Sequence, residues 1–205
     1  MGLLEDKSRA RTFYRYLSKI YDRVNPVFWN ERMRDECIEM LNLSEDDRVL
    51  DVGCGTGFAT VGLLERTPQV EALDQSVHQL QKAREKDELA EVDFVRGDAE
   101  NLPYADETFD AVWSSGSIEY WPTPIDALRE ARRVTKPGGH ILVVGPRRPS
   151  GRVAGAIADS IMLFYDEDEA TRMFDEAGWT EIEHTLMGSE YVEDDAIVTV
   201  ARNSE

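Results

Sequence analysis

The 205-residue sequence predicts an α/β fold, a wound and mostly parallel sheet of seven strands joined largely by helical crossovers. Three observations predict it. An apolar run through Val49 and Leu50 enters the loop Asp51, Val52, Gly53, Cys54, Gly55, Thr56, Gly57 and leaves through a helix-forming stretch from Phe58 to Leu64. A second apolar run at 70–74 ends in a carboxylate, Asp74. Beyond it, short apolar runs and helical periods keep alternating along the chain.

The elements follow in order. Residues 13–24 carry Phe13, Tyr16, Leu17, Ile20 and Val24 at helical spacing, and Met33, Cys37, Met40 and Leu41 repeat the pattern after Asn30. Both read as amphipathic helices over the ligand edge of the sheet, so residues 1–42 form an N-terminal helical cap that shares the acceptor pocket, and 43–205 the main domain. The first strand, glycine turn and helix come next; glycines at 53, 55 and 57 permit backbone dihedrals closed to other residues and let a ligand approach the main chain. After the strand at 70–74, Ser76 and Gln79 form a capping box opening a helix with Val77, Leu80 and Ala83 inward. A third strand at 92–95 runs into Arg96, Gly97, Asp98, Ala99 and Glu100, and a fourth lies at 109–113. Thr123 caps a helix with Pro124 in its first turn and Ile125, Leu128, Ala131 and Val134 inward. Lys136, Pro137, Gly138 and Gly139 stop it before a fifth strand at 140–144. A helix over about 167–177 closes at Gly178, and 181–186 and 196–201 read as two last strands.

The glycine spacing narrows the ligand. A dinucleotide fingerprint needs G-x-G-x-x-G, which fails because Phe58 follows Gly57, and a phosphate loop needs Gly-Lys-Ser/Thr, which fails because no lysine lies between Lys19 and Lys82. Asp74 stands 21 positions after Gly53, the offset expected of a ribose-binding acid. The D-x-G-x-G-x-G loop resembles that of class I S-adenosylmethionine methyltransferases, which implies a Rossmann-like sheet whose last two strands form an antiparallel hairpin at its edge. The same resemblance implies S-adenosyl-L-methionine as cofactor and S-adenosyl-L-homocysteine as product. It places Asp51, Gly53, Cys54, Gly55 and Gly57 at the amino-acid end, Asp74 and Gln75 at the ribose, Asp98 and the Ala99 backbone at the adenine, and Ser114 beside them.

The loop after the fourth strand points to the acceptor. Amino-directed DNA methyltransferases carry an Asn/Asp-Pro-Pro-aromatic turn there; this chain has Ser114, Ser115, Gly116, Ser117, Ile118, Glu119, Tyr120, Trp121 and Pro122. Together with Leu73, Asp74, Gln75, Ser76, with Gly97, Asp98, Ala99, Glu100, with Tyr21, Asp22, Asn25, Pro26, Trp29, and with Met162, Leu163, Phe164, this loop resembles the methyl-phytyl-benzoquinone methyltransferases of plant tocopherol and plastoquinone synthesis. That resemblance implies C-methylation of a prenylated benzoquinol, a small lipophilic aromatic acceptor. Tyr21, Trp29, Tyr120 and Trp121 are the candidate acceptor contacts. C-methylation of a quinol calls for a base on the neighbouring hydroxyl. Glu119 is the candidate, with Asp22 and His184 behind it. Another phenol, a sterol or an acid as acceptor, or a non-catalytic adenosylmethionine-binding module, are the alternatives; a hydride-transfer enzyme lacks both the glycine spacing and a Tyr-x-x-x-Lys pair.

Composition bounds the rest. Forty-one acidic against 23 basic residues give a net charge of −18, and the basic ones are 18 arginines and 5 lysines. Such a chain offers no basic face for nucleic acid, and self-repulsion of this size is a lever that halophilic proteins exploit. Cys37 and Cys54 are too few and too scattered for a disulfide framework or a zinc site, so no metal is expected. No run approaches the roughly 20 apolar residues of a membrane span. Residues 1–11 are charged, so neither a cleaved signal nor a transit leader is read, and the cytoplasm is the expected compartment. Residues 153–165, with Ile157, Ile161, Met162, Leu163 and Phe164, offer an apolar lid or a peripheral contact with a bilayer.

Overall fold

The computed structural model describes residues 30–148, 165–188 and 194–204. Tyr21, Asp22, Trp29, the helix expected over 13–24 and residues 153–164 of the apolar segment lie outside them. In chain order the elements are α1 (Glu31–Met40), β1 (Val49–Val52), α2 (Phe58–Leu64), β2 (Val70–Asp74), α3 (Val77–Arg84), β3 (Asp93–Arg96), β4 (Phe109–Ser115), α4 (Pro124–Val134), β5 (Thr135–Pro146), α5 (Glu167–Glu176), β6 (Thr180–Met187) and β7 (Ala196–Arg202). Short 3₁₀ turns occupy Asp87–Leu89 and Ile118–Tyr120.

The strands form one sheet in the order β3-β2-β1-β4-β5-β7-β6. The first five pair in parallel; β7 runs antiparallel to both β5 and β6, so the C-terminal hairpin completes the sheet with its second strand innermost. The order reverses between β1 and β4, and it is at such a switch point that open α/β sheets leave a crevice at the strands' carboxyl ends.

Two apolar layers cover the faces. On one, Leu50, Val52, Val112, Ile141, Val143 and Ile197 pack under α4 and α5 through Leu128, Val134 and Phe174. On the other, Val49, Ala111, Trp113, Leu142 and Val198 pack under α1 and α2 through Cys37, Ile38 and Leu63. Trp113 and Trp179 are fully buried, and Trp179 Nε1 donates to Leu128 O at 3.0 Å, so its polar edge is not stranded in the core. Each large apolar side chain so removed from water contributes about 1.5–3 kcal/mol.

Several local expectations are corrected. Helix α1 descends a face of the sheet beside α2: Arg34 bonds Phe58 O near the carboxyl ends of the strands, whereas Met40 and Leu41 reach Asp110, Pro137 and His140 at the opposite end. Met40 is 38% exposed and Val77 45%, because each sits at a helix end where the buried stripe has run out. Only half of the capping box at Ser76 forms. Its hydroxyl accepts from Gln79 N, but Gln79 Oε1 is buried without a partner. Thr123 is the N-cap of α4 without a side-chain bond; its own N–H donates to Glu100 Oε1 at 2.8 Å. The third strand is shifted by one residue, to 93–96. The Lys136–Gly139 stretch lies inside β5 rather than before it. There the register with β4 shifts between Phe109 and Ala111, and a Cβ on Gly139 would stand 2.5 Å from Asp110 O, so a bare Cα is what lets the strands approach.

Candidate active site

The glycine loop sits at the carboxyl end of β1, where the crevice opens. Gly53, Gly55 and Gly57 all have positive φ, at 77°, 55° and 80°. Two of the three are also closely packed: a Cβ on Gly53 would collide with the Ser117 side chain, and one on Gly57 with Leu89 Cδ1. Around Gly55, in contrast, a Cβ would meet nothing within 4 Å, so the middle of the loop faces open space. The loop is held by Gly53 N and Cys54 N donating to Leu73 O at 2.7 and 3.0 Å, and by Gly57 N donating to Cys54 O at 2.8 Å.

Asp74 fastens the loop to the end of β2. Its Oδ2 accepts from Gly55 N at 2.9 Å and its Oδ1 from Ser76 N at 2.7 Å. Burial pushes its carboxyl above the usual range, and these two backbone donors pull against that. Asp51 lies beneath the loop, 1% exposed, and its Oδ2 accepts from Thr60 Oγ1 at 2.6 Å. Burial raises its carboxyl to about 7, opposed by the Thr60 bond and reinforced by the charge of Asp74. The Cys54 thiol is pushed up as well, first by burial and then by Asp51 and Asp74, and stays protonated.

Farther along the same edge, β2 and β3 pair with Asp74 opposite Arg96, and Gly97 N donates to Asp74 O at 3.1 Å. That bond sets the turn carrying Asp98, whose Oδ1 accepts from Glu100 N at 3.1 Å, with Ala99 half-buried against the core. Gln75 is exposed at the rim. On the other flank, Ser114 ends the core of β4, fully buried, with its hydroxyl lacking a partner. Glu119 is 4% exposed in the 3₁₀ turn that follows, and Tyr120 is half-buried. Trp121 Nε1 donates to Ser117 Oγ at 3.0 Å while its ring packs against the core.

His184 is corrected as a base candidate. Its ring nitrogens are engaged by Thr171 Oγ1 at 2.8 Å and Thr199 Oγ1 at 3.0 Å, and β5 and β7 stand between its strand and β4. Thr60, Ser117 and Tyr165 are residues that the sequence did not single out. The Tyr165 hydroxyl is buried without a partner where a Cβ on Gly145 would fall, and burial together with the nearby Glu119 charge raises its pKa.

The acidic acceptors suit a ligand that brings hydroxyls, an amine and a cation. No lysine or arginine lies between Arg48 and Arg66, so the loop carries no side-chain cation for a phosphate. Among the described residues no cluster of three His, Cys, Asp or Glu could hold a metal. The chain matches the family described as a methyltransferase domain over residues 50–143, from β1 to β5. Its fold is that of the class I methyltransferases, and its sequence is related to the prenylquinone methyltransferases.

The 2-methyl-6-phytyl-1,4-hydroquinone methyltransferase 2 of Oryza sativa subsp. japonica is 44% identical over 92% of this chain, and the corresponding Arabidopsis thaliana enzyme 43% over 92%. The chain spans 55% and 57% of the length of those two relatives. In fold it is similar to the methyltransferase solved in complex with the Haloferax volcanii Trm112 methyltransferase activator, with a TM-score of 0.80 and 20% identity over 96% of this chain and 98% of that one. The residues present fit S-adenosylmethionine, the cofactor of the family: an uncovered backbone at Gly55, acids at Asp74 and Asp98, and no phosphate-binding cation.

Proposed function

We propose that the chain transfers a methyl group from S-adenosylmethionine to a ring carbon of a small lipophilic aromatic acceptor, a prenylated benzoquinol. The observation that carries the reading is the contact between the glycine loop and the loop after β4, Ser117 against Gly53, with Glu119 and Tyr120 following Ser117 in that same loop. Supporting it, two relatives alike over nearly the whole chain are named for 2-methyl-6-phytyl-1,4-hydroquinone.

In this reading Asp74 accepts from the ribose hydroxyls, with Gln75 at the rim, and charge-assisted bonds of this kind contribute about 1.5–3 kcal/mol each. Asp98 accepts from the adenine amine, and the Ala99 backbone meets a ring nitrogen. Gly53, Cys54, Gly55 and Gly57 line the amino-acid end over Asp51, and the Ser114 hydroxyl supplies a further donor. The bound cofactor supplies an electrophilic methyl on a sulfonium. Glu119 takes the proton from the acceptor hydroxyl next to the reacting carbon, so that carbon becomes nucleophilic; after transfer the ring proton leaves to solvent and the proton on Glu119 returns to the oxygen, which restores the quinol. Tyr120 and Trp121 flank the acceptor. The protein's main contribution is to hold the reacting atoms in line and exclude water.

Incubation with labelled adenosylmethionine and a panel of quinols, phenols, sterols and acids is expected to give a methylated quinol by mass spectrometry; label in a sterol or acid alone overturns the acceptor class. Glu119→Gln is expected to lower turnover by roughly 100-fold or more while adenosylhomocysteine affinity is kept. Wild-type turnover in that variant removes Glu119 as the base.

A further inference from the structure

Across the carboxyl edge of the sheet, Asp98 follows β3, Asp74 ends β2, Gly53 follows β1 and Ser117 follows β4. S-adenosylmethionine is linear: adenine, ribose, sulfonium and amino-acid group in succession. With the adenosyl part over Asp98 and Asp74, as in the reading above on which this inference rests, the amino-acid group extends toward β1 and β4. The Ser117 side chain stands there, resting on the bare Cα of Gly53.

The state of its hydroxyl follows from the partner it has. Trp121 Nε1–H donates to Ser117 Oγ at 3.0 Å, and an indole nitrogen can only donate, so Ser117 is the acceptor and its own proton is unspent. Its carbonyl is occupied separately by Tyr120 N at 3.0 Å. Among the described residues no acceptor takes the Ser117 proton. A half-buried hydroxyl, fixed by a tryptophan and pressed on the first glycine of the loop, is a held donor beside the crevice.

We propose that Ser117 is a cofactor-binding residue, donating to the carboxylate at the amino-acid end, and that Trp121 is the positioning residue that aims it. Glycine at position 53 is then required twice, for its positive φ and for the room that Ser117 occupies. Trp121 takes a role distinct from a ring face for the acceptor: its N–H acts on the donor through Ser117.

Calorimetry with two ligands tests this without turnover. Adenosylhomocysteine has the amino-acid group and 5′-methylthioadenosine lacks it. In Ser117→Ala the dissociation constant for adenosylhomocysteine is expected to rise about tenfold or more, that for methylthioadenosine to stay at the wild-type value. Trp121→Phe, which keeps a ring and removes the N–H, should shift the same ligand in the same direction by less. Equal weakening of both ligands in Ser117→Ala means a collapsed loop and overturns the proposal, as does no weakening of either. Wild-type binding of both ligands with equal affinity overturns it too, but leaves the adenosyl pocket standing; wild-type binding of neither removes both.

Discussion

Asp51 is held under the glycine loop by Thr60 and ionises only near pH 7, because burial penalises its charged form. Its folded pKa lies above the unfolded value of 3.8, so its contribution to stability is fully present below about 3.8 and is lost as pH rises through about 7. A sulfonium-bearing ligand over the loop offsets that penalty by favouring the ionised form. Adenosylmethionine affinity is therefore expected to increase as pH climbs through about 7, with Asp74, also raised by burial, acting in the same sense. Calorimetry across that range checks it; a flat profile in the wild type, or an unchanged slope in Asp51→Asn, contradicts it. At this scale the sequence was legible where chemistry follows chain spacing, as with Gly53 to Asp74. Thr60 and Ser117 were not legible, since their partners are chosen by strand register and by the docking of a distant loop.

At the scale of elements, α1 is held to α2 by one close approach. Gly62 is buried in α2, and a Cβ there would stand 2.6 Å from Arg34 Nε and 2.8 Å from Ile38 Cδ1. The gap admits the Arg34 guanidinium, which is 5% exposed, bonds Asp35 at 2.7 Å and Phe58 O at 3.2 Å, and lies 4.9 Å from the Phe58 ring centroid. Gly62→Val is expected to destabilise the fold by about 1–3 kcal/mol, read as a lower urea midpoint with unchanged slope, because it expels a buried, paired cation. A midpoint equal to wild type would show the interface to be pliant. Strands and helices were legible from apolar period. Their ends were less so: Pro137, Gly138 and Gly139 carry the signature of a helix stop, yet β5 runs through them, because they lie in the extra stretch that β5 inserts opposite Asp110, where Gly139 must be bare against the Asp110 carbonyl.

For the whole molecule the dominant quantity is charge. Exposed pairs such as Arg32 with Glu36 and Arg129 with Asp126 contribute little each, and 41 acidic side chains cannot be neutralised by 23 basic ones. Salt screens the excess more than it weakens the pairs. The melting temperature is therefore expected to rise between low and molar potassium chloride, and scanning calorimetry showing no change would refute a salt-dependent fold. The parallel direction of the first five strands was legible from their alternation with helices, and the edge hairpin came from resemblance; the strand order, with β7 between β5 and β6, was not legible, because apolar period does not choose a strand's neighbours.

Asp74 has both oxygens engaged by main-chain N–H groups before any nucleoside arrives. Its rotamer is thus fixed by the protein's own backbone, and little orientational entropy remains to be surrendered on association. Replacing it would act twice, loosening the bend around Gly55 and deleting the acceptor. Affinity lost in an Asp74 variant accordingly measures preorganisation and contact together.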